Sequence, residues 1–245
     1  MMDVSIARWA AWAPGLETEE DWRTWTRAPA PLESEGVPDA RFLPAMLRRR
    51  CTPLSKIMLK VAYECSGEEA RSNVRTVFSS RHGSINESIA LLENVVRRER
   101  ISPAIFSHTV HNAQAGLFSI ASGNRQASSS LAARDDSFGC GLVEALCHLE
   151  REPERPVLLV VGDVPLAATF AALIDEPITS YGVALLLESG SAGPGFEMRI
   201  QAAEEGASAG LEWPAAIEFL RFWLSDDASV EIPSARHRWG FAKKG

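Results

Sequence analysis

Apolar residues recur at Leu54, Ile57, Met58, Val61, Ala62 and Cys65, the i, i+3, i+4, i+7 spacing of a helix with one buried face. Thr52 stands where an N-cap belongs and Pro53 at the first helical position, so the start of that helix is marked as well. Val157–Val161 and Gly182–Leu187 are unbroken apolar runs, as in strands of a sheet covered on both faces. Between these anchors the pattern predicts a strand over 74–79 and a helix over 84–96 with Ile85, Ile89, Leu92 and Val96 inward. A helix over 107–122, rich in Ala and Gly and stopped at Gly123, predicts close backbone packing and a central position. A strand of small residues over 126–133 follows, then a helix over 137–149 with Cys140, Val143, Leu146, Cys147 and Leu149 as its apolar positions.

At the N-terminal end, Val4–Ala10 alternates up to Pro14–Gly15, as a strand and turn would. Residues 17–27 predict a short amphipathic helix with Trp22 and Trp25 at i, i+3, and Pro29–Pro38 a loop. Phe196–Ala202 predicts a strand beside 182–187, residues 214–224 an apolar terminal helix, and Arg236–Gly245 a short basic tail. Strands alternating with helices give an α/β layered sheet with helices on both faces, in a single domain over 1–245. No internal repeat interrupts it.

Composition narrows the function classes. An apolar fraction of 46% and a charged fraction of 23% belong to a globular domain with a real core. The net charge of −7 argues against a nucleic-acid partner, which would want a basic face. No apolar run reaches membrane-spanning length, and Met1–Ile6 has no basic-then-apolar leader, so a cytoplasmic location is expected. The four cysteines have neither C-x-x-C nor zinc spacing; Cys140 and Cys147 are expected as buried thiols on one helix face, without disulfides.

Candidate chemistry is sparse. Asp135 and Asp136 precede a helix start at Ser137 and are expected to cap it, an interaction of ~0.5–2 kcal/mol. His108 and His111 share a helix face, but two imidazoles without a third ligand predict no metal site. Ser128–Ser130 lacks the G-x-S-x-G elbow and an obvious Ser-His-Asp set. Arg48, Arg49 and Arg50 form a basic triplet, solvated or facing an acidic partner. Trp9, Trp12, Trp22 and Trp25 are more than a small core needs, which makes some of them candidate interface anchors.

The stretch from Ser102–Pro103–Ala104–Ile105–Phe106 through Asn112–Ala113–Gln114–Ala115–Gly116 to Ser128–Ser137 resembles the central segment of β-ketoacyl synthases. Arg50–Ser55, Val74–Gly83, Val157–Asp163 and Tyr181–Glu188 resemble, in order, the family's other core elements, so the resemblance covers most of residues 1–190. It implies half of a thiolase-like fold, since ketosynthases are built from two βαβαβαββ halves and this chain ends about where the first one does. Counted from the Asn112-x-x-x-Gly116 anchor, the nucleophilic cysteine position falls on Asp135, and no histidine sits in a second-half motif.

The resemblance therefore implies a subunit with no catalytic residue and no condensing activity alone, similar to a chain length factor of type II polyketide, aryl-polyene or fatty-acid-type systems. It implies pairing with an active ketosynthase, with Ala104, Ile105, Phe106, His108, His111 and Asn112 at the acyl tunnel and interface. No cofactor is implied, because acyl chains arrive on the phosphopantetheine arm of an acyl carrier protein, which Arg48, Arg49 and Arg50 would contact. The small Ala104 would open the tunnel floor. Two rival readings are a small thioester hydrolase or acyltransferase using Asp135, Ser130 or a histidine, and a homodimeric remnant that binds acyl carriers.

Overall fold

The computed structural model describes residues 4–173, 179–190, 193–203 and 210–244. Nine-residue strand β1 (Val4–Trp12) opens the chain and is followed by helix α1 (Glu19–Arg27) and the short α2 (Ala45–Arg48). Then come α3 (Pro53–Arg71), β2 (Arg75–Ser79), α4 (Ile85–Val96), the single turn α5 (Pro103–Phe106) and α6 (Ala113–Ser122). The second part runs β3 (Ser128–Leu131), α7 (Ser137–Arg151), β4 (Val157–Asp163), β5 (Tyr181–Ser189) and β6 (Gly195–Ala202). It closes with α8 (Ala215–Leu224), β7 (Ser229–Pro233) and β8 (His237–Lys244).

One eight-stranded sheet, in the order β3-β2-β4-β5-β1-β6-β8-β7, carries all of it. β3, β2 and β4 are parallel, and the remaining neighbours are antiparallel. The period of two along each strand divides the core. Val77, Val157, Leu159, Val161, Val183, Leu185 and Leu187 meet α7, α8 and the α1 tryptophans on one face. Phe78, Leu158, Val160, Ala184 and Leu186 meet α3 and α6 on the other. The sheet is thus covered on both sides, which is why its central strands carry no polar alternation. α3 starts as its sequence marks it, with Thr52 Oγ1 accepting from the Ser55 N–H at 3.1 Å.

Several expectations about the elements are corrected. The helix over 107–122 begins only at Ala113, because residues 107–112 form turns in which Ser107 and Thr109 hydroxyls bond back to Ala104 and Phe106 carbonyls. α6 is lateral and not central; it packs by Ala115, Leu117 and Phe118, whereas no neighbouring element comes within 4 Å of where a Gly116 side chain would begin. α4 has the predicted period but only Leu91 is buried, and Leu92 and Val96 are exposed. α7 turns Gly141, Leu142, Ala145 and Leu149 to the sheet, leaving Cys140 half-buried and Cys147 exposed. The basic tail is strand β8, hairpinned to an unpredicted β7.

The tryptophans are also internal. Trp12, Trp22 and Trp25 are buried, Trp25 making edge-on contacts with Trp22 and Trp213 at 5.6 and 5.0 Å, so they anchor the core and not an interface.

Candidate functional site

The turn from β3 into α7 is where the sheet could present a reactive group. Arg134, exposed, holds φ 58°, a left-handed conformation that non-glycine residues adopt at a cost of about 1 kcal/mol or more. Strand-to-helix elbows place a nucleophile at such a strained residue; here that residue is Arg134, one before the position 135 that the family count gives, and neither its guanidinium nor the Asp135 carboxylate supplies a thiolate. Asp135, the next residue, is half-buried and accepts the Ala235 backbone N–H at 2.5 Å. Asp136 is buried and accepts from Ser234 Oγ at 2.5 Å, Trp239 Nε1 at 2.7 Å and His237 Nδ1 at 2.9 Å. Burial pushes its carboxyl up, but these three hydrogen bonds and the His237 charge outweigh it and hold the group below the ordinary aspartate value.

Capping is therefore not what the acidic pair does. Asp136 occupies the N-cap position of α7 without making a side-chain cap bond, and both carboxylates point into the β7–β8 turn. Other polar groups here are engaged or unreactive. Ser137 Oγ donates to Arg134 O at 2.6 Å and accepts from the Ala133 N–H at 3.0 Å. Burial, reinforced by Asp136, raises the Cys140 thiol and keeps it protonated.

A second buried acid ties β2 to β4. Asp163 accepts from Ser80 Oγ at 2.6 Å and from the Arg81 and His82 N–H groups at 3.0 Å each. Desolvation dominates, so its carboxyl lies above the ordinary value despite these bonds. The clamp fixes the 80–83 turn, whose Ser80 carbonyl lies 3.1 Å from His111 Nε2.

The segment expected at a tunnel and interface lies next to that turn. Ala104, Ile105 and Phe106 sit together on α5, with Ile105 and Phe106 43% and 62% exposed. His108 and His111 are not on a helix, as the sequence suggested, but in the turns before α6. His108 is buried with neither ring nitrogen partnered, and burial, with the Arg50 charge, lowers its basicity. Leu92, Val95, Val96, Ile101, Val110 and Ile120 are further exposed apolar side chains contributed by this α4–α6 region. β3 is a sheet edge whose Ser128–Leu131 carry no charge, and beside it lies a groove of about 350 Å³ lined by Asn112, Gly116, Ser119, Asn124, Gln126 and Ser130. Arg49 and Arg50 are exposed after α2, and Arg48 is half-buried.

Ser130 lines that groove with no hydrogen bond to a base among the described residues, whereas its neighbour Ser129 meets Glu144 at 2.8 Å and His148 Nε2 at 3.2 Å. Glu144 contacts the same Nε2 at 3.3 Å, and among the described residues no carboxylate bonds the other ring nitrogen, as a serine triad requires. Among the described residues no three His, Cys, Asp or Glu side chains converge as a metal site. No helix of the described residues is long and apolar enough to cross a membrane.

Sequence reasoning missed Ser234, His237 and Trp239. The signal was present: Trp239 and Phe241 alternate with Arg238, Gly240 and Ala242, a strand pattern obscured by the positive charges around it.

The layered sheet is the ketosynthase half of the thiolase-like fold. The chain belongs to the β-ketoacyl synthase, N-terminal domain family, whose model matches residues 22–241. No curated protein matches its sequence. Among solved structures, it is similar to a chain in the complex of a ketosynthase (ApeO) with its chain length factor (ApeC) from Xenorhabdus doucetiae. That match has 29% identity and a TM-score of 0.85, covering 99% of this chain and 100% of the other. It also resembles a chain of the AntDE:AntF assembly, a type II acyl carrier protein with its ketosynthase (10% identity, TM-score 0.70, covering 98% and 99%). A third similarity is to the ishigamide ketosynthase/chain length factor (15%, 0.62, covering 81% and 67%).

Proposed function

We propose that this chain is a non-condensing, chain-length-factor-like subunit that pairs with an active ketosynthase and shapes its acyl tunnel. The observation that carries the reading is the coincidence of an elbow without a nucleophile and an unguarded docking face. Arg134, Asp135 and Asp136 offer no thiolate at the β3–α7 turn. The edge strand β3 and the exposed apolar residues of α4–α6 supply what a large subunit interface uses: an apolar centre and an open backbone ladder. The similarity to a chain of a ketosynthase–chain length factor complex supports the same assignment.

In this role Ala104, Ile105, Phe106, His108, His111 and Asn112 border the partner's tunnel, and Ala104 leaves room where a larger side chain would stop the growing acyl chain. Arg48, Arg49 and Arg50 are the candidate contact for an acidic acyl carrier protein that delivers substrate to the partner, and no cofactor is held by this subunit. The protein would work in the cytoplasm.

Co-expression with candidate active ketosynthases followed by native mass spectrometry tests the pairing. A one-to-one complex is expected; a chain that stays a stable monomer beside every active ketosynthase tried would refute the reading. Within the complex, Ala104→Phe is expected to shorten the product, and an unchanged product profile would remove the tunnel role.

A further inference from the structure

The mouth of α7 is not merely without a nucleophile; it is filled. The N-terminus of a helix flanked by glycines is open to an anion or an acyl oxygen when nothing lies over it. Here Trp239 lies against the first turn: a methyl group at Gly139 would sit 2.4 Å from the indole ring. Trp239 is buried, packs beside His237 with ring centroids 5.6 Å apart, and donates its N–H to Asp136. On its far side the hairpin turn is tied twice more, Ser234 Oγ to Asp136 and the Ala235 N–H to Asp135. Its own geometry is closed by Ser234 N–H to His237 O at 2.8 Å and His237 N–H to Ser234 Oγ at 2.9 Å. The last hairpin of the same chain thus bonds both oxygens of Asp136 and Oδ2 of half-buried Asp135.

We propose that the β7–β8 hairpin is a built-in plug: Trp239 packs on the first turn of α7, the Asp135–Asp136 pair is the hairpin's receptor, and position 135 is shut to acyl chains and carrier arms, although Arg134 before it is exposed. This goes beyond a substitution at one position. A thiol placed at 135 would still lie beneath the hairpin turn, so restoring the nucleophile would not restore a site. It also gives the two adjacent acids a purpose that helix capping does not.

Alkylation of Asp135→Cys by iodoacetamide, followed site by site with peptide mass spectrometry in the full chain, tests the plug. Exposed Cys147 is the fast internal standard and buried Cys65 the slow one. A thiol at an open helix N-terminus is activated and labels faster than an ordinary one; a plugged one is expected to label about tenfold slower than Cys147. Adding Trp239→Ala should bring the rate at 135 to that of Cys147 or above while Cys65 stays protected. If that double variant unfolds, exposing Cys65, Trp239→Phe replaces it; its smaller ring leaves Asp136 without the indole N–H and should open the mouth partway. Fast labelling at 135 with Trp239 intact, or labelling that stays slow in both Trp239 variants, would overturn the plug. Neither result bears on whether the chain pairs with a ketosynthase.

Discussion

Asp136 and Asp163 show how two buried carboxylates in one small sheet are driven in opposite directions. Asp136 receives three side-chain donors and is held below its ordinary value, whereas Asp163 is so fully desolvated that three donors do not compensate. For Asp136 the folded value is below the unfolded one. Its contribution is therefore complete above the ordinary aspartate range near pH 4 and is lost as pH falls through the depressed folded value. Asp136→Ala should cost on the order of 3 kcal/mol at neutral pH by leaving Ser234, His237 and Trp239 without an acceptor, and denaturant titration reads this. Asp136→Asn should flatten the acid limb of a stability–pH profile, and an unchanged limb would show that the carboxylate is not ionised in the fold. Asp163 has the opposite sign, with stability favoured below the unfolded value and declining as pH rises through the raised folded one. Asp163→Asn should remove that decline.

At the scale of elements, the informative helix is α4, which has a regular apolar stripe and almost nothing beneath it. Leu92 is 64% and Val96 83% exposed, each side chain representing about 1.5–3 kcal/mol of burial left unrealised in the isolated chain. Leu92→Glu with Val96→Glu should leave the melting temperature of the lone chain nearly unchanged, since exposed substitutions shift stability by only about 0.5 kcal/mol. The same pair should weaken the ketosynthase complex at least about tenfold, a loss of about 1.4 kcal/mol or more in binding free energy, as measured by native mass titration. Pattern alone could find α4 but could not tell that its inward face has no partner in the same chain. That limit recurs along the molecule. α3, β4 and β5 were legible because α3 buries one full face at helical spacing and an unbroken apolar run marks each of the two strands. α6 was read six residues too early because hydroxyl-to-carbonyl bonds at Ser107 and Thr109 compete with helix, and composition is blind to them. The lock on the α7 mouth joins Asp136 to residues about a hundred positions later, a contact that only the closed sheet defines.

Across the whole molecule the sheet ends in two different edges, and the difference assigns them different fates. β7 carries Glu231 and closes on Pro233, both of which discourage another strand from adding on. β3 has three serines and a leucine, without charge or proline to protect it. Ala127 and Leu131 give their carbonyls to Thr76 and Ser80 of the β2 side, so the intervening Ser128 and Ser130 direct their backbone groups outward, away from the sheet. A proline at 130 would then remove an outward N–H without touching the ladder to β2. Ser130→Pro should leave the chain folded, with its melting temperature within a few degrees of the parent, and abolish ketosynthase pairing in co-purification. Ser229→Lys, at an exposed position on the opposite edge, should change neither. Loss of pairing by the β7 variant with retention in the β3 variant would reverse the orientation of the complex, placing the partner against the plugged end of the sheet and freeing the α4–α6 face.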